Sequence, residues 1–211
     1  MTEEPGNKTP RFILASASPR RTDLLTRIGV PHEVIPADVD ETSGLPEAPG
    51  AQVALLAERK ARRIAALHPE ALVLGADTLV YLEGTILGKP SGIEEACAMV
   101  ERLAGTWHEV YTGISLAGPE GRPAESSFEV TRVRFRPLVR KQIRLYVSTE
   151  EPFDKAGAYG IQGYGATLVE SVEGCYFNVM GLPLARLIKM LDSRGYDYPF
   201  GPLVRRKESW L

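Results

Sequence analysis

Apolar residues along the chain alternate between short runs and helically spaced stripes, the order expected of an α/β domain. The first run spans 12–15 and is followed by Ser18-Pro19 and a helical stripe that ends at Gly29. Serine before proline is typical of a helix start, so we predict a strand and then a helix with Ser18 as its N-cap. The same patterns predict later strands at 33–36, 71–80, 106–116, 128–135 and 166–172, and later helices at 51–67, 93–103, 138–147 and 184–191.

The helix predicted at 93–103 has the clearest pattern. Ser91 and Glu94 have the spacing of a capping box, in which each side chain bonds the other residue's backbone. The stripe that follows is expected to be buried and consists of Ile93, Ala96, Met99, Val100 and Leu103.

The strand predicted at 128–135 carries a change of phase. Its apolar positions shift between Val130 and Val133, from one alternating set to the other. One extra residue in a strand produces such a shift, so we predict a β-bulge near Thr131 or Arg132.

The run at 71–80 is apolar on both faces, as in a central strand covered on each side, and Asp77 interrupts it. An unpaired carboxylate there costs several kcal/mol or becomes protonated, so Asp77 needs a cation or a hydrogen-bond network. A divalent metal is the functional answer, since carboxylates suit hard ions. The alternative is that Asp77 only ends the strand in a turn.

The helix that follows Ser18 begins with Arg20 and Arg21, which places positive charge where the helix dipole is already positive. An anion at this point would remove the conflict. Free backbone N–H groups, the hydroxyls of Ser16 and Ser18 and two guanidinium groups form a phosphate cradle. The alternative is that both arginines are ordinary solvated side chains.

Three further charged residues are candidates for the same site. Lys60 lies in the apolar stripe of its helix, where it either reaches a phosphate or extends its ammonium to water. Lys89, in the loop 88–90, is a second possible phosphate ligand. Glu41 lies in an acidic loop and is a second metal carboxylate, or a solvated charge.

The segment 151–165 is rich in glycine and lacks periodicity, so we predict a shaped loop. Within it, Gln162 can donate and accept hydrogen bonds and is suited to reading the edge of a base, whereas Tyr159 packs on a ring or in the core. The glycine spacing fits neither the dinucleotide fingerprint nor the P-loop. Dinucleotide oxidoreductases and P-loop phosphotransferases are therefore disfavoured.

Composition limits the remaining possibilities. The chain has 211 residues, 44% of them hydrophobic, enough for one core or for two lobes that share a cleft. Its 25 Lys and Arg nearly balance 27 Asp and Glu, so we expect no nucleic-acid or membrane partner. Only two cysteines and no apolar leader indicate a cytoplasmic protein. We expect one domain at 11–192, with irregular segments at 1–10 and 193–211.

Five motifs occur together in this chain: 14–21 (Leu-Ala-Ser-Ala-Ser-Pro-Arg-Arg), 58–61 (Glu-Arg-Lys-Ala), 75–78 (Gly-Ala-Asp-Thr), 88–90 (Gly-Lys-Pro) and 154–163. In this order and spacing they resemble the Maf, or septum-formation-inhibitor-like, nucleotide pyrophosphatases. The resemblance covers the chain from Phe12 to about Leu191. It implies an elongated α/β fold with a strongly twisted mixed sheet flanked by helices, two lobes and a central cleft, similar to inosine triphosphate pyrophosphatases. It also implies a homodimer.

The resemblance extends to a subgroup. Members that cleave dTTP and UTP have arginine, threonine and glutamine at the positions of Arg20, Thr78 and Gln162, and all three are present here. The sister subgroup, which takes 7-methyl-GTP, differs at these motifs and is the less favoured reading.

Together, the residues and the resemblance give a hypothesis for the reaction. Water attacks the α-phosphorus of a dTTP- or UTP-like substrate and releases the monophosphate and pyrophosphate. Each candidate then has a role: Glu41 and Asp77 hold Mg²⁺ or Mn²⁺, Asp77 is also the base, Arg20, Arg21, Lys60 and Lys89 neutralise phosphate charge, Ser16 and Ser18 orient the phosphates, and Thr78 and Gln162 recognise the pyrimidine.

Two alternatives remain open. A nucleotide-binding regulator of cell division would need the phosphate cradle but not Asp77, Glu41 and Lys89. A nucleic-acid-binding protein would use the basic residues near the end of the predicted sheet. These residues alternate with apolar ones, so the simpler explanation is that they form the solvent-exposed face of a strand and a helix. These residues are Arg132, Arg134, Arg136, Arg140 and Lys141.

Overall fold

The computed structural model describes residues 9–119 and 122–206. Its strands are β1 (Phe12–Ala15), β2 (Glu33–Val34), β3 (Leu72–Leu82), β4 (Thr85–Leu87), β5 (Trp107–Ala117), β6 (Glu125–Phe135), β7 (Val169–Glu173), β8 (Tyr196–Asp197) and β9 (Val204–Arg205). Its α-helices are α1 (Pro19–Arg27), α2 (Pro49–Ala65), α3 (Ile93–Leu103), α4 (Arg140–Val147), α5 (Tyr176–Val179) and α6 (Leu184–Ser193). The predicted loop at 151–165 contains three short 3-10 helices: Glu151–Asp154, Ala156–Ala158 and Gly163–Thr167.

One large sheet organises the described residues. Its strand order is β2-β1-β3-β5-β6-β7, with β4 also paired to β3. The pairs β1–β2 and β1–β3 are parallel, whereas β3–β4, β3–β5, β5–β6 and β6–β7 are antiparallel. The predicted α/β class with a mixed sheet flanked by helices is therefore confirmed.

The central strand β3 has an open stretch along one edge. On that edge β1 pairs with Leu72 to Gly75, and β4 pairs with Val80 to Leu82. Between them, residues 76–79 have no strand partner on this side within the described residues, although β5 pairs with all four on the other side. Asp77 and Thr78 lie in this gap, and because side chains alternate along a strand they point to opposite faces of the sheet.

Helix α2 packs directly on the backbone of β3 and β5. A Cβ atom added to Gly75 would lie 2.1 Å from the carbonyl oxygen of Ala57, and one added to Gly113 would lie 2.2 Å from that of Val53. Side chains at these two positions would push the helix away. The two glycines therefore set the short distance at which α2 can reach the neighbouring strand residues.

Apolar side chains cover both faces of the sheet. One buried cluster joins Leu24 and Leu25 of α1 to the α6 residues Leu187 and Leu191. A second packs α3 and α4 beside β5 and β6, and a third packs α2 on β1 and β3. Within 9–119 and 122–206, no helix combines the length and apolar character that a membrane crossing requires.

Helix α3 begins differently from the capping box that was predicted. Its N-cap is Gly92. The backbone N–H and the hydroxyl of Ser91 both donate to Oε2 of Glu95, whereas the capping box would pair Ser91 with Glu94. Four of the five predicted stripe residues are buried, but Ile93 is 62% exposed. Ile93 is the first residue of α3, and its side chain is exposed at the start of the helix.

The predicted bulge near Thr131 or Arg132 is wrong. Strand β6 pairs with β5 without interruption from Glu125 to Arg134, and its irregularity lies at 134–135, opposite β7. The phase change has another cause. Phe128 lies on the α2 face, where its ring occupies the position that a Cβ atom on Gly50 would need. Phe135 is buried on the other face.

The segment after Asp192 differs from the irregular tail that was expected. Strands β8 and β9 form a small antiparallel pair. Tyr196 and Leu203 are buried in the cluster that contains α1, and the hydroxyl of Tyr198 donates to the carbonyl of Ile28 at 2.7 Å. Residues 1–8 and 207–211, the outer parts of the two predicted irregular ends, lie outside the described residues.

Candidate active site

A pocket of about 580 Å³ opens at the gap in the edge of β3. Its walls come from the β1–α1 connection, α2, β3, the 88–89 loop, the 154–162 loop and the 179–181 turn. All the residues predicted to bind phosphate or metal, to act as the general base or to recognise the pyrimidine line this one pocket. They are Ser16, Ser18, Arg20, Arg21, Glu41, Lys60, Asp77, Thr78, Lys89 and Gln162.

Lys60 lies between two carboxylates. Its Nζ is 2.6 Å from Oδ1 of Asp77 and 2.7 Å from Oε1 of Glu41. The Lys60 and Asp77 side chains are 11% and 16% exposed, whereas Glu41 is 57% exposed. The buried lysine therefore does not extend to water, and the carboxylate inside the apolar strand has the cation that it requires.

The same arrangement suits a hard divalent cation. Two carboxylate oxygens already converge on one positive charge, and Mg²⁺ is commonly held by one or two carboxylates together with substrate phosphates. Across the described part of the chain, no group of three His, Cys, Asp or Glu side chains forms a metal site. The donor set thus fits a metal that arrives with a triphosphate and takes its remaining ligands from phosphate and water.

Arg21 is buried and bonded to neutral acceptors. Its Nε donates to the carbonyl of Gly181 at 2.8 Å, and one terminal nitrogen donates to Ser16 Oγ at 2.7 Å and to the carbonyl of Ala76 at 2.9 Å. The other terminal nitrogen donates to Thr78 Oγ1 at 3.0 Å. Burial lowers the pKa of Arg21 to about 10. Four of the five guanidinium hydrogens are engaged, so Arg21 positions the pocket wall and adds charge to it.

Arg20 is held from the opposite side of the pocket. Its terminal nitrogen lies 3.1 Å from Oδ2 of Asp154, whose other oxygen lies 2.5 Å from Nζ of Lys155. Burial acts against the charged carboxylate, but the Lys155 hydrogen bond and the charges of Lys155 and Arg20 together hold the pKa of Asp154 below its usual value. Asp154 and Lys155 line the pocket and were not among the predicted site residues. Their signal was present, because both stand in the glycine-rich motif at 154–163.

The start of α1 agrees with the prediction in position. Ser18 is the N-cap and Pro19 opens the first turn, which contains no acidic residue. The Ser18 side chain makes no capping hydrogen bond; instead its backbone N–H donates to Ser16 Oγ at 3.3 Å. A positive helix end without a neighbouring carboxylate in its first turn is a suitable place for a phosphate.

The loop at 154–162 is fastened to the lysine loop across the pocket. The N–H of Gly157 donates to the carbonyl of Gly88 at 3.0 Å, next to the exposed Lys89. Tyr159 is buried, with its hydroxyl 2.8 Å from Nε2 of His108. Gln162 is half-buried in the pocket wall. Tyr159 therefore belongs to the core, and Gln162 remains the polar side chain of this loop that faces the pocket with both donors and an acceptor.

Comparisons with known proteins identify the family of this chain. The profile of the family described as Maf-like protein matches residues 11–194. A dTTP/UTP pyrophosphatase of Pelotomaculum thermopropionicum is 48% identical over 186 residues, which are 88% of this chain and 97% of that protein. A dTTP/UTP pyrophosphatase of Symbiobacterium thermophilum is 49% identical, covering 88% and 95%.

Among solved structures, the Ham1 protein of Staphylococcus aureus aligns with a TM-score of 0.42 and 16% identity, over 75% of this chain and 79% of that one.

The family profile spans β1 to α6 and so includes every element that lines the pocket. The chain belongs to the Maf-like protein family.

Proposed function

We propose that this protein is a nucleoside triphosphate pyrophosphatase that hydrolyses dTTP and UTP to the monophosphate and pyrophosphate, with Mg²⁺ or Mn²⁺ as cofactor. The relatives at 48% and 49% identity carry the name dTTP/UTP pyrophosphatase and align over nearly their whole length. The residues Arg20, Thr78 and Gln162 favour this activity over that of a 7-methyl-GTP pyrophosphatase, and all three line the pocket.

The observation that carries the proposal is the placement of Lys60 between Glu41 and Asp77 in a pocket that also contains Arg20 and Lys89. A site that only binds nucleotide needs cations for the phosphates. Two converging carboxylates on the same wall would repel a triphosphate unless a metal ion accompanies it. Carboxylates among cations therefore favour a site built for hydrolysis over a site built for binding alone.

In the reaction, Asp77 accepts a proton from the water that attacks the α-phosphorus. The bond between that phosphorus and the oxygen bridging to the β-phosphate breaks, and pyrophosphate leaves with the bond's electron pair. A divalent cation, when bound, supplies positive charge to the phosphate oxygens. Lys60 holds Oδ1 of Asp77 and so fixes the carboxylate, while Arg20 and Lys89 stabilise charge on the phosphates.

The test is hydrolysis of a panel of nucleoside triphosphates with Mg²⁺ or Mn²⁺, following monophosphate and pyrophosphate. We expect dTTP and UTP to be preferred. The variant Asp77→Asn should lose on the order of 10²- to 10⁴-fold in turnover, because it removes both the base and a metal ligand. Asp23→Asn is the matched control, since Asp23 is exposed on α1 and does not line the pocket.

Two results would contradict the proposal. Full turnover by Asp77→Asn would exclude Asp77 as the base. Tight dTTP binding without pyrophosphate release, with either metal, would instead support the nucleotide-binding regulator.

A homodimer and a cytoplasmic location belong to the same proposal and are supported by the family resemblance. Nucleic acid is not part of it, because three of the four arginines of the alternative site have acidic partners. Arg132 lies 2.7 Å from Glu173, Arg134 lies 3.0 Å from Glu170, and Arg140 lies 3.1 Å from Glu101. Light scattering of the purified protein tests the dimer.

A further inference from the structure

A chain of buried hydroxyl groups lies behind the pocket wall that carries Thr78. Thr78 Oγ1 is 2.9 Å from Thr112 Oγ1, directly across the β3–β5 pair, and Thr112 is fully buried. Thr112 Oγ1 is in turn 2.8 Å from the carbonyl oxygen of Asn178. Neither Thr112 nor Asn178 was singled out by the sequence.

The direction of each hydrogen bond in this chain follows from what each group can donate. A carbonyl oxygen only accepts, so Thr112 gives its one hydroxyl hydrogen to Asn178. Thr112 therefore has no hydrogen left for Thr78, and in the contact between the two threonines Thr78 must be the donor. The single hydroxyl hydrogen of Thr78 is thus directed into the protein.

Arg21 completes the assignment. A guanidinium only donates, so the Arg21 nitrogen at 3.0 Å occupies one lone pair of Thr78 Oγ1. A hydroxyl oxygen has two lone pairs, which leaves one for a further partner. Because Thr78 lines the pocket, it offers the pocket one acceptor and no donor.

We propose that Thr112 is a positioning residue for base recognition: it takes the hydroxyl hydrogen of Thr78, so that Thr78 selects a base whose ring nitrogen carries a hydrogen. Uracil and thymine have such a hydrogen at N3. Cytosine has a bare acceptor at N3, which would face the lone pair of Thr78 and leave both groups unpaired. This inference rests on the proposed function and adds to it a reason for preferring UTP and dTTP over CTP.

The chemistry limits the other possible contacts of Thr78. A phosphate oxygen is an acceptor, so Thr78 cannot bond it without the hydrogen that it gives to Thr112. Substitution of Thr112 by a residue of the same shape but without a hydroxyl frees that hydrogen. Thr78 can then rotate and donate, and cytosine should be accepted more readily.

The experiment uses calorimetry with Mg²⁺ present to measure the dissociation constants of UTP and CTP analogues in which a methylene group joins the α- and β-phosphates, so that binding is tested without turnover. Wild type should bind UTP more tightly than CTP by roughly tenfold to a hundredfold, the range for leaving buried polar groups unpaired. Thr112→Val should reduce this ratio by about tenfold, and Thr112→Ser, which keeps the hydroxyl, should retain it.

The matched control is Ser115→Ala. Ser115 is also fully buried in β5 and its hydroxyl accepts from Ser126 at 2.9 Å, but it lies on the opposite face of the sheet from Thr112. The ratio of two constants measured on one protein does not depend on the folded fraction, so a loss of stability alone leaves it unchanged. If Thr112→Val does not fold, Thr112→Ala removes the same hydroxyl with less bulk.

An unchanged ratio in Thr112→Val or Thr112→Ala, or an equal change in Ser115→Ala, would overturn the inference. Wild type that binds UTP and CTP equally would also overturn it. Failure of the proposed function has a different signature, namely binding of the two analogues with the expected ratio but no pyrophosphate release from UTP itself.

Discussion

The ammonium group of Lys60 lies 2.6 Å from Oδ1 of Asp77, within a wall of the pocket where both side chains are mostly buried. The lysine comes from α2 and the aspartate from β3, so the contact depends on how closely the helix lies on the sheet. It places a cation on the carboxylate that we assign as the base. This pair makes the site sensitive both to the loss of the charge and to the position of the helix.

Replacement of Lys60 by methionine should separate two effects of this charge. Catalysis should fall by about 10²-fold or more, because charge on the phosphates is no longer neutralised and Asp77 loses its holding contact. Mn²⁺ should bind the free protein more tightly, because Lys60 no longer competes for the oxygens of Glu41 and Asp77. Water proton relaxation measures the Mn²⁺ affinity, and pyrophosphate release measures the activity.

The control for this substitution is Arg63→Met, which removes a positive charge from an exposed position of the same helix. It should change neither quantity. Unchanged or weaker Mn²⁺ binding in Lys60→Met would show that the two carboxylates do not form the metal site.

Replacement of Gly75 by alanine should disturb the site without changing any of its polar groups. The added methyl would lie 2.1 Å from the backbone oxygen of Ala57, so α2 must move away from β3 and carry Lys60 with it. We expect a loss of about 1–3 kcal/mol of stability from overpacking and at least a tenfold fall in kcat/KM. Thermal unfolding and UTP hydrolysis measure the two effects.

Gly201→Ala provides the comparison, since a Cβ atom added to Gly201 meets nothing within 4 Å and the residue lies outside the helices. Wild-type activity in Gly75→Ala, at temperatures where it is folded, would mean that the spacing of α2 does not control the Lys60 contact.

Replacement of His108 by glutamine should make stability less dependent on acid. Burial lowers the pKa of His108 to about 4, and its Nδ1 has no hydrogen-bond partner within the described residues, so the folded protein holds it neutral. Below its ordinary pKa of 6.5 the unfolded chain binds a proton that the folded chain does not, so stability is lost as pH falls from 6.5 toward 4.

Glutamine removes this titration and can still bond the hydroxyl of Tyr159. The difference in free energy of unfolding between wild type and His108→Gln should therefore change by about 2 kcal/mol between about pH 7.5 and about pH 5, with wild type losing more. Urea unfolding at several pH values gives this difference. Parallel pH curves for the two proteins would contradict the prediction.

Sequence patterns located the pocket residues because only a few polar or charged residues occupy positions where the strand or helix pattern calls for a different type. Asp77 stood alone in an apolar run, and two arginines opened a helix. The bonds of Arg21 could not be predicted in the same way, because two of its acceptors, the carbonyls of Ala76 and Gly181, are backbone atoms brought close only by the tertiary fold. A guanidinium that appears free in the sequence is mostly occupied in the structure.

Patterns of alternation failed where both faces of a strand are covered. In β6, Phe128 packs toward α2 and Phe135 toward α3 and α4, so a change of apolar phase needs no inserted residue. The buried ends of the C-terminal hairpin were missed for a related reason. Tyr196 and Leu203 lie in a short stretch rich in glycine and proline without helical or alternating spacing, and only their place in the cluster with α1 shows that they belong to the core.

That hairpin has a consequence for how the protein is made. Leu24 and Leu25, on the helix that carries Arg20 and Arg21, share their core cluster with Tyr196 and Leu203. These partners emerge from the ribosome nearly a whole domain later than the helix itself. During synthesis, the helix that carries Arg20 and Arg21 therefore completes its buried cluster only after residue 203 has left the ribosome.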